Sequence, residues 1–303
     1  MKNYPDFIED SRQSRNNEKF KIIFLAIIFL GIFLFTKSSQ AVVTLTNGQW
    51  SSTFNCADWQ QPNILSNCDG MSKWGDWFAS GYPDAIRSQA NYSGGVGGKG
   101  LTHWRCVGHN VGGSGPGISF PTPQREFWMR WYMRYPIGYN FNNYEKIFYF
   151  DPVSQHGTYV PNMMPNYIRS AAVAAGTYVS LTSNYGFQQI NGGVYGDGQW
   201  HEYEWHFKLD TNGSNGVAEV WVDNVFRGGT YTQNLNGTLY SGVGSIEIGD
   251  NQGDVVSHDG VTQCYAVDYD DITISTTGYI GPLGGVPPAD TTAPAAPTGL
   301  TIQ

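Results

Sequence analysis

Positive charge is scarce in this sequence. Lysine and arginine number 17 against 25 aspartates and glutamates, a formal net charge of −8 at pH 7, and only eleven of the basic residues lie beyond residue 41. So acidic a domain is a poor candidate for nucleic acid or an anionic membrane surface, since both demand clustered cations. Cysteine is sparse as well, with 4 in 303 residues and no Cys-x-x-Cys spacing, which argues against a zinc site. Beyond residue 41 no helical pattern of convincing length occurs, which points away from bundles and α/β folds. The longest apolar run, residues 22–35, falls short of the ~20 residues that a bilayer span asks for.

That run is preceded by Lys19 and Lys21 and followed by Ser39, Gln40 and Ala41, small residues where a signal peptidase would cut. Residues 1–41 are therefore expected to be an export signal, with a retained membrane anchor as the alternative; a membrane is a partner only in the second case. The predicted location is secreted, extracellular. Four cysteines beyond the signal suit an oxidising compartment and two disulfides. Three connectivities are open; Cys56 and Cys68 bracket a short loop and are the favoured pair, leaving Cys106 with Cys264.

Aromatic residues make up 15% of the chain and glycines number 38, a strand- and turn-rich balance. Strands are predicted at 42–46, 101–107, 126–135, 146–150, 167–174, 177–182, 185–190, 199–209, 218–226, 245–248 and 265–275. The fold class is all-β, a two-sheet antiparallel jelly-roll sandwich over residues 42–283. Residues 284–303 read as a Gly/Pro-rich linker that runs into a segment similar to the first residues of a fibronectin type III module.

The clearest stretch is residues 198–229. Tyr203, Trp205 and Phe207 alternate with Glu202, Glu204, His206 and Lys208, a strand with one packed and one wet face, and a turn-rich segment then leads to a second strand with a tight turn at Asp223 and Asn224. The wording Gln-Trp-His-x-Tyr-Glu, then Asn-Gly, then Val-Trp-Val-Asp resembles the last large hairpin of jelly rolls in the concanavalin A-like lectin/glucanase superfamily. Within it the likeness is to heparin-lyase-like and glucuronan-lyase-like polysaccharide lyases. The segment from Tyr265 to Pro282 resembles the closing strand of the same group.

The resemblance implies a partner that is an extracellular, anionic polysaccharide, and cleavage of it by β-elimination. That reaction needs a uronate carboxylate neutralised, a base for the C5 proton and an acid at the departing oxygen. Six of the eleven cations, Arg105, Arg130, Arg134, Lys146, Arg169 and Lys208, fall within predicted strands, interleaved with aromatic residues and histidine. The expected catalytic set is His103, His156, Tyr132 and Tyr149; the expected substrate-binding set is Arg105, Arg130, Arg134, Tyr167, Arg169, Gln155, Glu204 and Lys208. Residues 146–156 loosely resemble the strand and loop that carry catalytic Gln and His in sandwich-fold lyases. His201 is read as a buried, paired structural histidine.

Two other classes stay open. A binding module without catalysis fits the abundant Trp and Tyr. A glucanase-type glycoside hydrolase would use Glu202 and Glu204, about 7 Å apart on one strand face, although the Glu-x-Asp-x-Glu signature of that branch is absent. No cofactor is expected; Asp250, Asp254, Asp268, Asp270 and Asp271 are the residues for a structural Ca²⁺, without EF-hand spacing. Sequons at Asn91, Asn212 and Asn236 lie in predicted turns.

Overall fold

The computed structural model describes residues 42–284 except 66–67, 76–77, 79–80, 93–97, 108–114, 138, 140–144, 155–166, 174–175, 184–185, 191–195, 236 and 250–263, and the backbone alone at 145–146, 154, 167–173, 176–183 and 186–190. The expected export signal, the fibronectin-like tail, Gln155, His156, Asp250, Asp254 and the Asn236 sequon lie outside the described residues.

Sixteen strands are described: β1 (Gln49–Ser52), β2 (Trp59–Gln60), β3 (Ser72–Trp74), β4 (Ala85–Arg87), β5 (Gly100–Cys106), β6 (Gly115–Gln124), β7 (Glu126–Arg134), β8 (Glu145–Ser154), β9 (Tyr167–Val173), β10 (Gly176–Ser183), β11 (Gly186–Ile190), β12 (His201–Lys208), β13 (Gly216–Val222), β14 (Val225–Gln233), β15 (Tyr240–Ile248) and β16 (Cys264–Ser275). They form the two antiparallel sheets of a jelly-roll sandwich. One has nine strands in the order β14-β13-β12-β7-β16-β5-β4-β2, with β1 also on β16; the other has seven in the order β11-β10-β9-β8-β15-β6-β3.

Alternation decides what each sheet buries. On β7, Phe127, Met129, Trp131 and Met133 face inward and stand opposite Phe207, Trp205, Tyr203 and His201 of β12. From the other sheet, Phe148 and Phe150 of β8 meet them, with ring centroids 4.9 Å from Trp131 and 5.5 Å from Phe127. Each such ring taken fully from water contributes roughly 1.5–3 kcal/mol, so this seam holds the sheets together.

Both disulfides form as expected. Cys56 bonds Cys68, and Cys106 bonds Cys264, its direct register partner between β5 and β16. The hairpin turn at Asp223 and Asn224 has positive φ at both residues, 52° and 61°, the twist that a two-residue hairpin requires. The strand beyond it is longer than expected and runs to Gln233. Residues 42–45 form no strand, and β1 starts at Gln49.

Candidate functional site

Alternation of β7 and β12 places Arg130, Tyr132, Arg134, Glu204 and Lys208 together on the outer face of the nine-stranded sheet, where Arg130 stands opposite Glu204 and Tyr132 opposite Glu202. Residues 279–283 cross this face as a strap. Glu204 accepts the N–H groups of Ile280 (2.7 Å) and Gly281 (2.8 Å), Arg130 donates to the Gly281 carbonyl (3.0 Å), and the Tyr132 hydroxyl accepts the N–H of Leu283 (2.9 Å). Arg130 also donates to Thr273 Oγ1 and the Asp271 carbonyl. Arg134 is paired with Asp268 at 2.6 Å and lies 4.9 Å from the Trp200 ring, while Tyr92 stacks on Tyr132 at 4.0 Å.

The strap changes the electrostatics beneath it. Burial pushes Glu202 and Glu204 up to about 7, against the pull of the backbone N–H groups and Arg130. Burial also drives the Tyr132 phenol far above its ordinary value, so it is no base near neutrality. Glu202 and Glu204 are 3% and 0% exposed and bind the chain's own amides, unlike a carboxylate pair flanking an open glycosidic bond.

His103 and Arg105 are on the opposite side of that sheet. Their register partners on β16 are Val267 and Tyr265, both core residues, so the two side chains point into the sandwich and are 5% and 3% exposed. His103 Nδ1 lies 2.7 Å from Asp84 Oδ2, and burial outweighs that partner and holds the imidazole below its ordinary value. The expected catalytic and binding residues His103, Arg105, Arg130 and Tyr132 are thus divided by the sheet itself: β5 turns its His/Arg set inward, β7 turns its Arg/Tyr set outward.

At the far end of the outer face, His206 stacks flat on Trp128 at 4.0 Å with Nε2 3.0 Å from Glu126 and Nδ1 2.5 Å from Glu219. Burial alone would lower this imidazole, but the two carboxylates win and raise it. Lys208 pairs with Glu126 at 3.0 Å in a half-exposed contact. His201 sits between Asp223 (2.8 Å) and Asp197 (3.2 Å) as a paired histidine at the strand start, but it is only partly buried rather than buried as expected, because both partners lie at the surface.

The seven-stranded sheet carries a different row on its outer face. Tyr149 of β8 stands opposite Glu247 of β15 and Tyr167 of β9; Asp151 stands opposite Ser245, and Ser245 opposite Ser119 of β6. Arg169 is the register partner of Lys146. The Ser245 hydroxyl donates to Asp151 Oδ2 at 2.9 Å. Glu247 and Asp151 share a hydrogen bond; burial first, then the neighbouring Asp151 charge, push Glu247 up to about 8, so the pair holds one proton through neutrality. Trp74, fixed by its N–H to the Ile248 carbonyl (3.0 Å), meets Tyr149 edge to face at 6.1 Å. Tyr149 and the register positions of Tyr167 and Arg169 thus come together here. Trp74, Asp151 and Glu247 were not anticipated, although Glu247 and Ser245 alternate with Ile246 and Ile248 in a readable strand pattern.

Asp268 is engaged by Arg134 and Thr102, and Asp270 accepts the N–H groups of Tyr92 and Asp271. Among the described residues no three acidic, histidine or cysteine side chains come together as a metal site. Also among them, no helix is long and apolar enough to cross a membrane.

No protein-family model and no curated protein matches this sequence. Several solved structures are similar in part. A mutant of alginate lyase Aly36B in complex with alginate trisaccharide has 12% identity over 75% of this chain and 98% of its own, with a TM-score of 0.49. The cellulose induced protein Cip1 has 14% identity over 75% of this chain and 97% of its own, with a TM-score of 0.48. Alginate lyase vAL-1 from Chlorella virus has 12% identity over 60% of this chain and 86% of its own, with a TM-score of 0.43.

Proposed function

We propose that this protein binds an acidic extracellular polysaccharide along the outer face of the seven-stranded sheet and cleaves it by β-elimination. The observation that carries the reading is the proton-sharing Asp151–Glu247 pair beside Tyr149 and Trp74. When a sugar binds, the proton that the pair shares turns from Asp151 to the substrate's C6 carboxylate, neutralising it and making the C5 proton acidic. Tyr149 hands a proton to the departing glycosidic oxygen, and Trp74 supplies an apolar surface for a sugar ring. Tyr167 and Arg169, whose positions on β9 adjoin this row, are assigned to substrate binding. The base is His156 with Gln155 beside it, in the segment that follows β8 directly in sequence. Hydrolysis fits this pair poorly, because two carboxyls joined by a hydrogen bond stand closer than the ~5 Å that even a retaining glycosidase leaves between them.

Incubating the chain with glucuronan, alginate, heparin and pectin and following ultraviolet absorbance tests this directly, since elimination creates an absorbing unsaturated uronate. Glu247→Gln and Tyr149→Phe should each abolish most of the signal. New reducing ends without absorbance would replace elimination by hydrolysis. Binding without cleavage is the second reading, favoured by one fact: among the described residues the row has no histidine, and His103 is on the core side of the other sheet.

A further inference from the structure

The nine-stranded sheet ends in a cleft that the row on the other sheet does not explain. Its volume is about 680 Å³, within the range of small-ligand sites, and Trp59, Gln60, Asn63, Arg87, Lys99 and Trp104 are among its lining residues. The cleft exists because β4 is short. Its register on β5 runs from Arg87 opposite Gly100 to Ala85 opposite Thr102 and stops there, so Trp104, paired with Ala266 of β16 on one side, has no strand neighbour on the other. Pro83 stands where that neighbour would be and has no N–H to give. Asp84 fills part of the gap in ladder bonding, its carboxylate accepting the Trp104 N–H at 3.4 Å.

Two of the eleven basic residues beyond residue 41 converge here. The Arg87 guanidinium lies 5.1 Å from the Trp104 ring centroid, donates from Nε to Thr102 Oγ1 at 2.6 Å, and remains 30% exposed. Its counter-ion is weak, since Asp268 is 3.8 Å from Arg87 but 2.6 Å from Arg134. Lys99 Nζ donates to the Cys56 carbonyl at 2.8 Å and pairs with Asp58, also at 2.8 Å, in a contact that water screens because the Asp58 side chain is 85% exposed. Tyr82 packs edge-on against Trp104 at 5.2 Å and is 39% exposed. Two cations, Arg87 and Lys99, therefore face one lining carboxylate, Asp58, around a recess with an aromatic wall, on a molecule that is acidic overall. Oriented donors next to an aromatic surface recognise a sugar ring that carries a negative group.

We infer that this cleft is a second saccharide site, specific for one anionic sugar unit bearing a carboxylate or a sulfate, on the sheet opposite the proposed cleavage row. The inference is independent of that row. Arg87 and Lys99 hold the anion, and Gln60 and Asn63, both exposed on the rim, hydrogen-bond the ring hydroxyls. The molecule would then grip an acidic glycan at two places, holding the polymer while the row works on another part of it.

Calorimetric titration at low salt tests this with the full chain and its Glu247→Gln variant, in which the other face is disabled. The probes are a uronate disaccharide, a sulfated disaccharide, a neutral disaccharide of the same size and inorganic sulfate. Both proteins should bind one or both acidic disaccharides, with affinity falling as salt rises, and should ignore the neutral one. Lys99→Gln should weaken that binding about tenfold, the worth of one charge-assisted hydrogen bond. Asn63→Trp, which fills the cleft while leaving both cations in place, should remove it; thermal melting confirms that each variant is folded. Loss of all binding in Glu247→Gln, wild-type affinity in Asn63→Trp, or equal affinity for the neutral disaccharide would overturn the proposal. Inorganic sulfate binding as tightly as the disaccharides would reduce the cleft to an anion site and overturn its saccharide assignment.

Discussion

The two outer faces of the sandwich use the same kinds of residue for opposite ends. On the nine-stranded sheet, Arg130, Tyr132, Glu204 and Arg134 are satisfied by the chain itself, through the strap and Asp268. On the seven-stranded sheet, Asp151 and Glu247 are satisfied largely by each other, an arrangement that leaves a shared proton rather than a fixed charge. The lesson is that polar residues on a strand face mark a site only after the chain's own backbone has been counted as a ligand.

The comparison breaks most visibly if Arg130 turns out to be dispensable for folding. Arg130→Ala should lower unfolding stability by roughly 2–4 kcal/mol in a denaturant titration, because it leaves the Gly281 and Asp271 carbonyls and Thr273 without their buried, charged donor. Glu247→Gln should do the reverse, reducing kcat/KM on the best polyuronate by about 100-fold while shifting the denaturant midpoint little. Comparable stability losses in the two variants would erase the distinction between the faces.

Stability against pH sharpens it further. Glu202, Glu204 and Asp270 titrate at about 7 when folded, against ordinary values of 4.5, 4.5 and 3.8, so the folded chain binds more protons than the unfolded chain in between. Stability should therefore fall by several kcal/mol as pH rises from about 4 to 8, since a single carboxyl raised from 4.5 to about 7 supplies about 3 kcal/mol, and Glu247, raised to about 8, acts in the same direction. His201 and His206, both raised by carboxylate partners that outweigh burial, act in the same direction, while the lowered His103 opposes them. Glu204→Gln should flatten the curve, as seen by thermal melting across that range. The smallest effect is expected at Lys208→Ala: its pair with Glu126 is about 40% exposed and should contribute less than about 1 kcal/mol, with no change in cleavage.

How much of this was legible in sequence depends on the strand. The β7 and β12 alternations are strict, and reading them separated the core rows from the outward rows, but the β12 face expected to be wet is buried at Glu202, Glu204 and His206. β6 is absent from the predicted strands, and its sequence is broken up by Pro116, Pro121 and Pro123. The structure tolerates Pro121 and Pro123 because β3 pairs only with residues 115–117 of that strand, and the β15 register shifts where they sit. β5 shows the deeper limit. Period two separates His103 and Arg105 from Thr102 and Trp104, yet nothing local says which pair faces the core; that is decided by Val267 and Tyr265, more than 150 residues away, through pairing with β16. The strap was invisible for a related reason: its contacts are backbone amides, which every sequence has. The Asp151–Glu247 pair joins strands 94 residues apart at the Ser245 register and follows only from the β8–β15 alignment.

The strap has a mechanical consequence. Between the end of β16 at Ser275 and Leu283 the chain is fastened sideways to β7 and β12 by Glu204, Arg130 and Tyr132, and the Tyr279 hydroxyl is tied to Asn224 in the hairpin turn. Tension applied at Leu283 is met by these bonds in shear before any of it reaches the central strand. Load on that end is thus borne by the strap before it reaches the β16 ladder, the spine of the nine-stranded sheet.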